Sequence, residues 1–270
     1  EMVFMFPGGG AQFVGMGADL YETEPVFAQW MDRGFKWLAA NGASDLRDLW
    51  LATGDAATSA SDALQQPSKQ LPLIMLVEYA LAQLWISWGL KPAALVGHSM
   101  GENTAACLAG VMSFEDCLGL VLLRGQLFDT VPRGGMLSVP LPVGEVTPLL
   151  GNDLDIAGLN APELTAVSGP QAALDALAEA LAARDIESQR IPIDIAAHSR
   201  MLDPILERFG DYLRGIKLSP PTLPIISNRT GTALLPSEAT DPDYWVKHLR
   251  NTVRYADCLT TLAQKPGISL

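Results

Sequence analysis

Ala93-Ala94-Leu95-Val96-Gly97-His98-Ser99-Met100-Gly101 is an apolar run that stops on a serine bracketed by glycines. Pro92 introduces it, and the residues after it are rich in small side chains (Ala105, Ala106, Ala109) until Gly110. A short apolar run bounded by turn formers reads as a buried strand. With a helix directly after it, G-x-S-x-G becomes a strand–turn–helix elbow. The glycines permit a tight, strained turn that lifts the serine hydroxyl clear of the sheet. The N–H of Met100, at the helix start, points toward the serine and can stabilise an oxyanion. The bland alternative is a glycine-punctuated βα turn without chemistry.

Working outward, Val3–Phe6 is a second short apolar run, stopped by Pro7-Gly8-Gly9-Gly10, and reads as a strand ending in a glycine loop. Residues 19–50 read as helices anchored by Trp30, Phe35, Trp37 and Leu46, and the polar, small residues 51–67 as a loop. Ser68–Trp88 has apolar positions at 73, 76, 77, 80, 81 and 84, the spacing of a helix face. Glu78 and Gln83 interrupt its apolar stretch, so it reads as a buried helix and not a membrane span. Ser113, with Asp116 three residues on, is a plausible N-cap for a helix over 114–129.

From Gly134 the texture changes. Met136–Val139, Asp155–Asn160, Leu164–Ser168 and Ser188–Ile191 are strand-like, while Val143–Leu150 and Gln171–Ala183 are helical. The order β-α-β-β-α-β is a split βαβ, ferredoxin-like unit, placed at residues 133–200. The helix Asp203–Arg214, the strand Leu223–Ser227, the turn Asn228-Arg229-Thr230-Gly231 and a helix over Tyr244–Leu262 follow. The outer segments, 1–132 and 201–270, would form one layered α/β domain into which the small one is inserted.

Composition bounds the function. The chain has 270 residues, 49% of them apolar, enough for a sizeable core. A formal charge of −12 argues against nucleic acid as the main partner. Cys107, Cys117 and Cys258 are too few and too scattered for a disulfide framework or a zinc site, so a reducing, cytoplasmic setting is the default expectation. Neither a signal peptide nor a membrane partner is expected. Opening on a strand without a start methionine, and stopping at Leu270 as an apolar run begins, the sequence reads as a piece of a longer polypeptide.

A reactive serine needs a base, and there are three histidines to choose from. His98 adjoins Ser99 on the elbow, so its side chain is expected to point elsewhere. His248 falls inside a helix. His198, in Ile195-Ala196-Ala197-His198-Ser199, lies between the small domain and the core, a natural cleft edge. The only upstream acid close to it, Asp194, is badly spaced for a triad, so a backbone carbonyl or amide is left to orient the base. On the helix 114–129, Cys117, Val121, Arg124 and Phe128 share one face, and the other faces are almost all leucine. Arg124 is thus a charge on a buried helix with no acid at ±3 or ±4, and its partner is either distant in sequence or a ligand.

These residues together resemble the malonyl-CoA:acyl-carrier-protein transacylase family, and more closely the acyltransferase domains of modular polyketide synthases. The likeness rests on Phe6-Pro7-Gly8-Gly9-Gly10-Ala11-Gln12, Gly97-His98-Ser99-Met100-Gly101-Glu102, Arg124 at 25 residues beyond the serine, Ala197-His198-Ser199 and Ser227-Asn228-Arg229-Thr230-Gly231. It implies an α/β-hydrolase-like core with an inserted ferredoxin-like subdomain. It implies an acyl group carried on Ser99 from acyl-CoA to the phosphopantetheine thiol of an acyl carrier protein, with flanking domains of the same synthase as further partners and no bound cofactor or metal. By resemblance, His198 is the base, the backbone N–H groups of Gly9 and Met100 form the oxyanion hole, and Arg124 binds the extender carboxylate. Gln66 matches a substrate-side glutamine, Ile195 and Ala197 line the pocket, and the main-chain carbonyl of His248 orients the catalytic histidine.

The sequence departs from that family at four places. Gly9 replaces the glutamine of Pro-Gly-Gln-Gly. The four residues ending in the histidine are Ile195-Ala196-Ala197-His198, where malonyl-selective members tend to read His-Ala-Phe-His and methylmalonyl-selective ones Tyr-Ala-Ser-His. Met100 stands where methylmalonyl members often carry glutamine. These signals conflict; because Ala197 is small and sets the volume beside the histidine, a methylmalonyl preference is expected, with malonyl use also possible. The family's closing Gly-Pro-His does not occur before Leu270. Two rival readings are a serine esterase or thioesterase, which has no use for Arg124, and a catalytically silent docking module.

Overall fold

The structure, a computed structural model, describes residues 1–264 and 267. The apolar run expected from residue 268 lies outside them. The first strand, β1 (Met2–Phe6), is followed by α1 (Pro25–Ala40) and the long helix α2 (Pro67–Ser87). Next come β2 (Pro92–Gly97), α3 (Gly101–Leu108) and α4 (Phe114–Phe128). β1 and β2 run parallel in register, Phe6 beside Gly97. The glycine loop and the serine elbow therefore leave the sheet at the same end.

Helix α2 meets the length and hydropathy of a membrane span, and in this fold it is a core helix, buried from Gln70 to Ala80. Its one interior carboxylate, Glu78, accepts a hydrogen bond from Thr104 on α3 at 2.6 Å. Burial pushes that carboxyl well above the usual carboxylate range. α4 starts at the expected cap, with the Ser113 hydroxyl accepting the Asp116 N–H at 3.1 Å. Buried almost all round, α4 packs against α2, where Gly125 allows close approach; a β-carbon there would lie 2.4 Å from the Pro67 carbonyl oxygen.

The second sheet is built by β3 (Gly135–Val139), β4 (Asp155–Ala161), β5 (Leu164–Gly169) and β6 (Gln189–Ile191), with α5 (Gln171–Ala182) between the last two. Its order is β4-β5-β3-β6 and every pairing is antiparallel, the ferredoxin-like topology. Strand alternation gives this sheet two faces. Leu137, Val139 and Val167 pack with Leu174, Leu177 and Leu181 of α5. Met136, Ala157 and Ala166 face the other way, with Ile191 and Ala197 against them.

The remaining core elements are α6 (Leu206–Gly215), β7 (Ile225–Ile226), α7 (Pro242–Arg250) and α8 (Tyr255–Ala263). β7 adds to β2 in parallel, giving the order β1-β2-β7.

Four expectations need correction. The stretch 51–67 contains a helix, Ala56–Ala63, since alanine-rich polar sequence is helix-competent once packed at Ala60. The helix expected from Asp203 begins as a 3-10 turn, Arg200–Ile205, because Pro204 cannot donate to an α-helical ladder. The strand over 223–227 shrinks to Ile225–Ile226. The helix over 244–262 is two helices, broken at 251–254. There Val253 exchanges backbone hydrogen bonds with Ala157 (2.9 Å) and Leu159 (2.7 Å), and the Thr252 hydroxyl bonds the Ile156 carbonyl at 2.7 Å. Two β-branched residues thus join the open edge of β4 and tie the small sheet to the core.

Candidate active site

The elbow holds Ser99 at φ 53°, in the left-handed region that L-residues seldom occupy. Close packing imposes this. A β-carbon on Gly97 would lie 2.0 Å from the Glu102 nitrogen, and one on Gly101 2.2 Å from the Phe6 carbonyl oxygen. The His98 N–H bonds the Phe6 carbonyl at 2.8 Å, tying the turn to the end of β1. His198 lies in the same strained region, at φ 56°. Strain at two residues that meet marks a site whose surroundings over-determine it.

They do meet. The Ser99 Oγ is 2.6 Å from His198 Nε2. On the far side of the ring, His198 Nδ1 is 2.9 Å from the Asn251 carbonyl oxygen. A carbonyl only accepts, so Nδ1 carries the proton and Nε2 presents its lone pair to the serine hydroxyl. The orienting carbonyl expected of His248 therefore belongs to Asn251, where α7 has ended and the carbonyl is free to bond outside the helix. His248 is instead buried among core rings, its Nε2 3.8 Å from Glu102 and without a hydrogen-bond partner among the described residues. Asp194 is exposed beside Arg133, away from Nδ1.

Arg124 reaches the same point. It is 2% exposed, with Nη2 donating to Ser99 Oγ at 2.9 Å and Nη1 to Asn103 Oδ1 at 3.1 Å. Its Nε has no partner, and no carboxylate lies within ion-pair distance among the described residues. Phe128, one helical turn on, offers its ring at 5.5 Å. Burial lowers the guanidinium to about 9, which keeps it charged at neutral pH. His198 is lowered to about 3, chiefly by burial and then by the charge of Arg124, so its imidazole is neutral there. A buried cation lacking a protein anion is prepared for an anionic ligand.

These three side chains border a cavity of about 950 Å³ between the core and the small sheet. Gly9 and Met100 line it, and neither of their N–H groups has a protein acceptor among the described residues. The loop lies against the serine, since a β-carbon on Gly8 would come within 3.3 Å of Ser99 Cβ. Gln66, at the start of α2, and Ile195 and Ala197 also line the cavity.

His98, expected to point away, lines it too, with Nε2 2.9 Å from Asn160 Oδ1 on β4. Three other contributors escaped the sequence reading. Asn103 was within reach of it, one helical turn after Ser99. Asn251 was not, because its backbone carries the contact. Asn160 comes from another sheet.

The family model described as "Acyl transferase domain" matches residues 3–269. Polyketide synthase GfsA of Streptomyces halstedii is 38% identical over 271 residues, covering 97% of this chain and 4% of that protein. The chain therefore corresponds to a small part of that relative. Among solved structures, the acyl transferase domain of ZmaA superposes with a TM-score of 0.91 at 38% identity, covering 98% of this chain and 62% of that one. The acyl transferase domain of SpnD in complex with 2-(pent-4-yn-1-yl)malonyl gives a TM-score of 0.87 at 39% identity, covering 98% and 62%. These neighbours combine an α/β-hydrolase-like core with a ferredoxin-like subdomain, and the present fold is of that kind.

Proposed function

Because the chain belongs to the acyl transferase domain family, we propose that Ser99 takes a carboxylated extender unit from its CoA ester and passes it to the phosphopantetheine thiol of an acyl carrier protein. The setting is polyketide or lipid-type chain synthesis, with neighbouring domains on the same polypeptide. The observation that carries this reading is Arg124, a buried guanidinium without an anionic partner among the described residues, 2.9 Å from the hydroxyl that would bear the acyl group. An esterase or thioesterase has no use for such a cation, and would want an acid where Asn251 presents a carbonyl.

The reaction runs in two halves. His198 Nε2 takes the Ser99 proton, and Oγ attacks the thioester carbon. The resulting oxyanion is met by the Gly9 and Met100 N–H groups. Collapse breaks the C–S bond, and the departing CoA sulfur takes the proton from His198, which returns the imidazole to its neutral form. The carrier thiol then gives its proton to His198 and attacks the acyl-serine. Oγ departs and recovers that proton.

The extender carboxylate does more than bind. Before it arrives, Arg124 donates to Oγ, and its charge depresses the basicity of His198. A carboxylate on the guanidinium offsets that charge, so the base strengthens once a dicarboxylic acyl group is in place. The expected pH profile follows. A histidine lowered to about 3 stays unprotonated, and so competent as a base, down to that pH. Acylation kcat/KM, which reports the free enzyme, should stay flat from about pH 8 to about pH 5. The acidic limb of kcat, which reports the complex, should lie at higher pH. A limb in kcat/KM near 6.5, the ordinary histidine value, contradicts this.

Methylmalonyl is favoured over malonyl because Ala197 leaves space beside the histidine, with Met136, Ala157 and Ala166 beyond it. The branched malonyl bound by the SpnD relative supports room for an α-substituent in this kind of pocket. One methyl group is worth about 1–3 kcal/mol, or roughly 10–200-fold. Equimolar methylmalonyl-CoA and malonyl-CoA, mixed with the protein and read by intact mass, should give mainly the methylmalonyl adduct. A malonyl majority reverses the assignment.

A further inference from the structure

The turn Ser227-Asn228-Arg229-Thr230-Gly231, at the end of β7, has no part in the chemistry above. Asn228 within it is 1% exposed and ties together three segments. Its side-chain amide donates to the Gly97 carbonyl at 2.7 Å, two residues before Ser99. Its N–H donates to Glu102 Oε2 at 2.6 Å, three residues after Ser99. Its own carbonyl accepts the Arg254 N–H at 2.5 Å, three residues after the Asn251 carbonyl that holds His198. Glu102 extends the tie, accepting the Tyr244 hydroxyl on α7 at 2.5 Å.

We propose that Asn228 is a positioning residue for the Ser99–His198 pair, holding the serine elbow and the 251–254 loop in one fixed relation while touching neither reacting side chain. The elbow cannot hold itself, because Ser99 sits in a disfavoured backbone region. Nor does a helix hold the loop, since it lies between α7 and α8. Apart from the reacting His198 itself, Asn228 bonds to both. The network is buried, with Glu102 fully and Asn228 and Tyr244 almost fully enclosed, and burial raises the Glu102 carboxyl to about 7. Its bonds are therefore shielded from bulk solvent. A displacement of about 1 Å between serine and base can cost on the order of 100-fold in rate.

The inference rests on the reading of Ser99 and His198 as a reactive pair, and its test separates the two. A fluorophosphonate probe reports serine reactivity without using Arg124 or a CoA site. Asn228→Ala keeps both backbone ties and removes the bond to Gly97. Labelling of the folded variant and its acylation kcat should fall by about 10- to 100-fold, with KM for the acyl-CoA within about twofold. Glu102→Gln keeps an acceptor for the Asn228 N–H and should label within about threefold of wild type, while Glu102→Ala should not. If Asn228→Ala does not fold, Asn228→Ser, which leaves the same ties, is read in the same way. Labelling of either Asn228 variant at the wild-type rate per folded molecule, or a loss confined to KM, overturns the positioning role. Wild-type protein that labels but transfers no acyl group overturns the transfer reading instead.

Discussion

Ser99→Ala incubated with methylmalonyl-CoA or malonyl-CoA keeps its own mass, while the wild type gains one acyl group. Removing the attacking oxygen of such a pair costs up to about 10⁶-fold in kcat, because the rest of the site has no second nucleophile. Here the neighbours are an imidazole 2.6 Å away and a guanidinium 2.9 Å away. The imidazole is held by Asn251 with its lone pair toward residue 99 and, in the variant, has no hydroxyl to deprotonate. Transfer to carrier protein should fall with the adduct, and the variant should still bind the acyl-CoA, since Arg124 and the cavity remain. The wild-type adduct must also resist hydrolysis long enough to be weighed. Rapid release of free acid instead of an adduct makes the protein a hydrolase, and an adduct that survives in Ser99→Ala places the chemistry elsewhere.

Arg124→Ala has the next largest expected effect, and it is selective. A guanidinium on a carboxylate makes two charge-assisted hydrogen bonds, each about 1.5–3 kcal/mol. Their loss should lower kcat/KM for malonyl- and methylmalonyl-CoA by roughly 10²- to 10⁴-fold, at about 1.4 kcal/mol per decade. Acetyl-CoA has no carboxylate to lose. Its transfer should hold or improve, because the variant also removes the charge that depresses His198 and the bond that ties up Ser99 Oγ. The ratio of the two rates is the measurement. An equal loss on both substrates shows that Arg124 serves the fold, through Asn103 and the packing of α4, and not the ligand.

The elements around the serine were legible because their signals are local. Leu95-Val96 ending on Gly97 made a strand, Ser113 a cap, and leucines around Arg124 a buried helix. Chain order also showed the small subdomain, since four strand-like and two helical segments alternate within 133–200. The break at 251–254 was hidden because the helical pattern of 244–262 runs through it. Only the edge of β4, about 95 residues away in sequence, gives Thr252 and Val253 something better to pair with. For the same reason the orienting carbonyl falls at Asn251, three residues beyond the expected His248.

By itself, then, the amino-acid order determined which groups are reactive: an elbow serine, a histidine on a cleft edge, and a cation stranded on an apolar helix. Periodicity and steric rules act over a few residues, and those features need no more. The fold alone decided how they face one another, that Arg124 finds no anion among the described residues, that Asn251 and not His248 fixes the imidazole, and that Asn228 joins elbow to loop. Such contacts are made by backbone atoms and by residues 25 to about 130 positions apart, and a backbone carbonyl carries no side-chain signature from which its partner could be read.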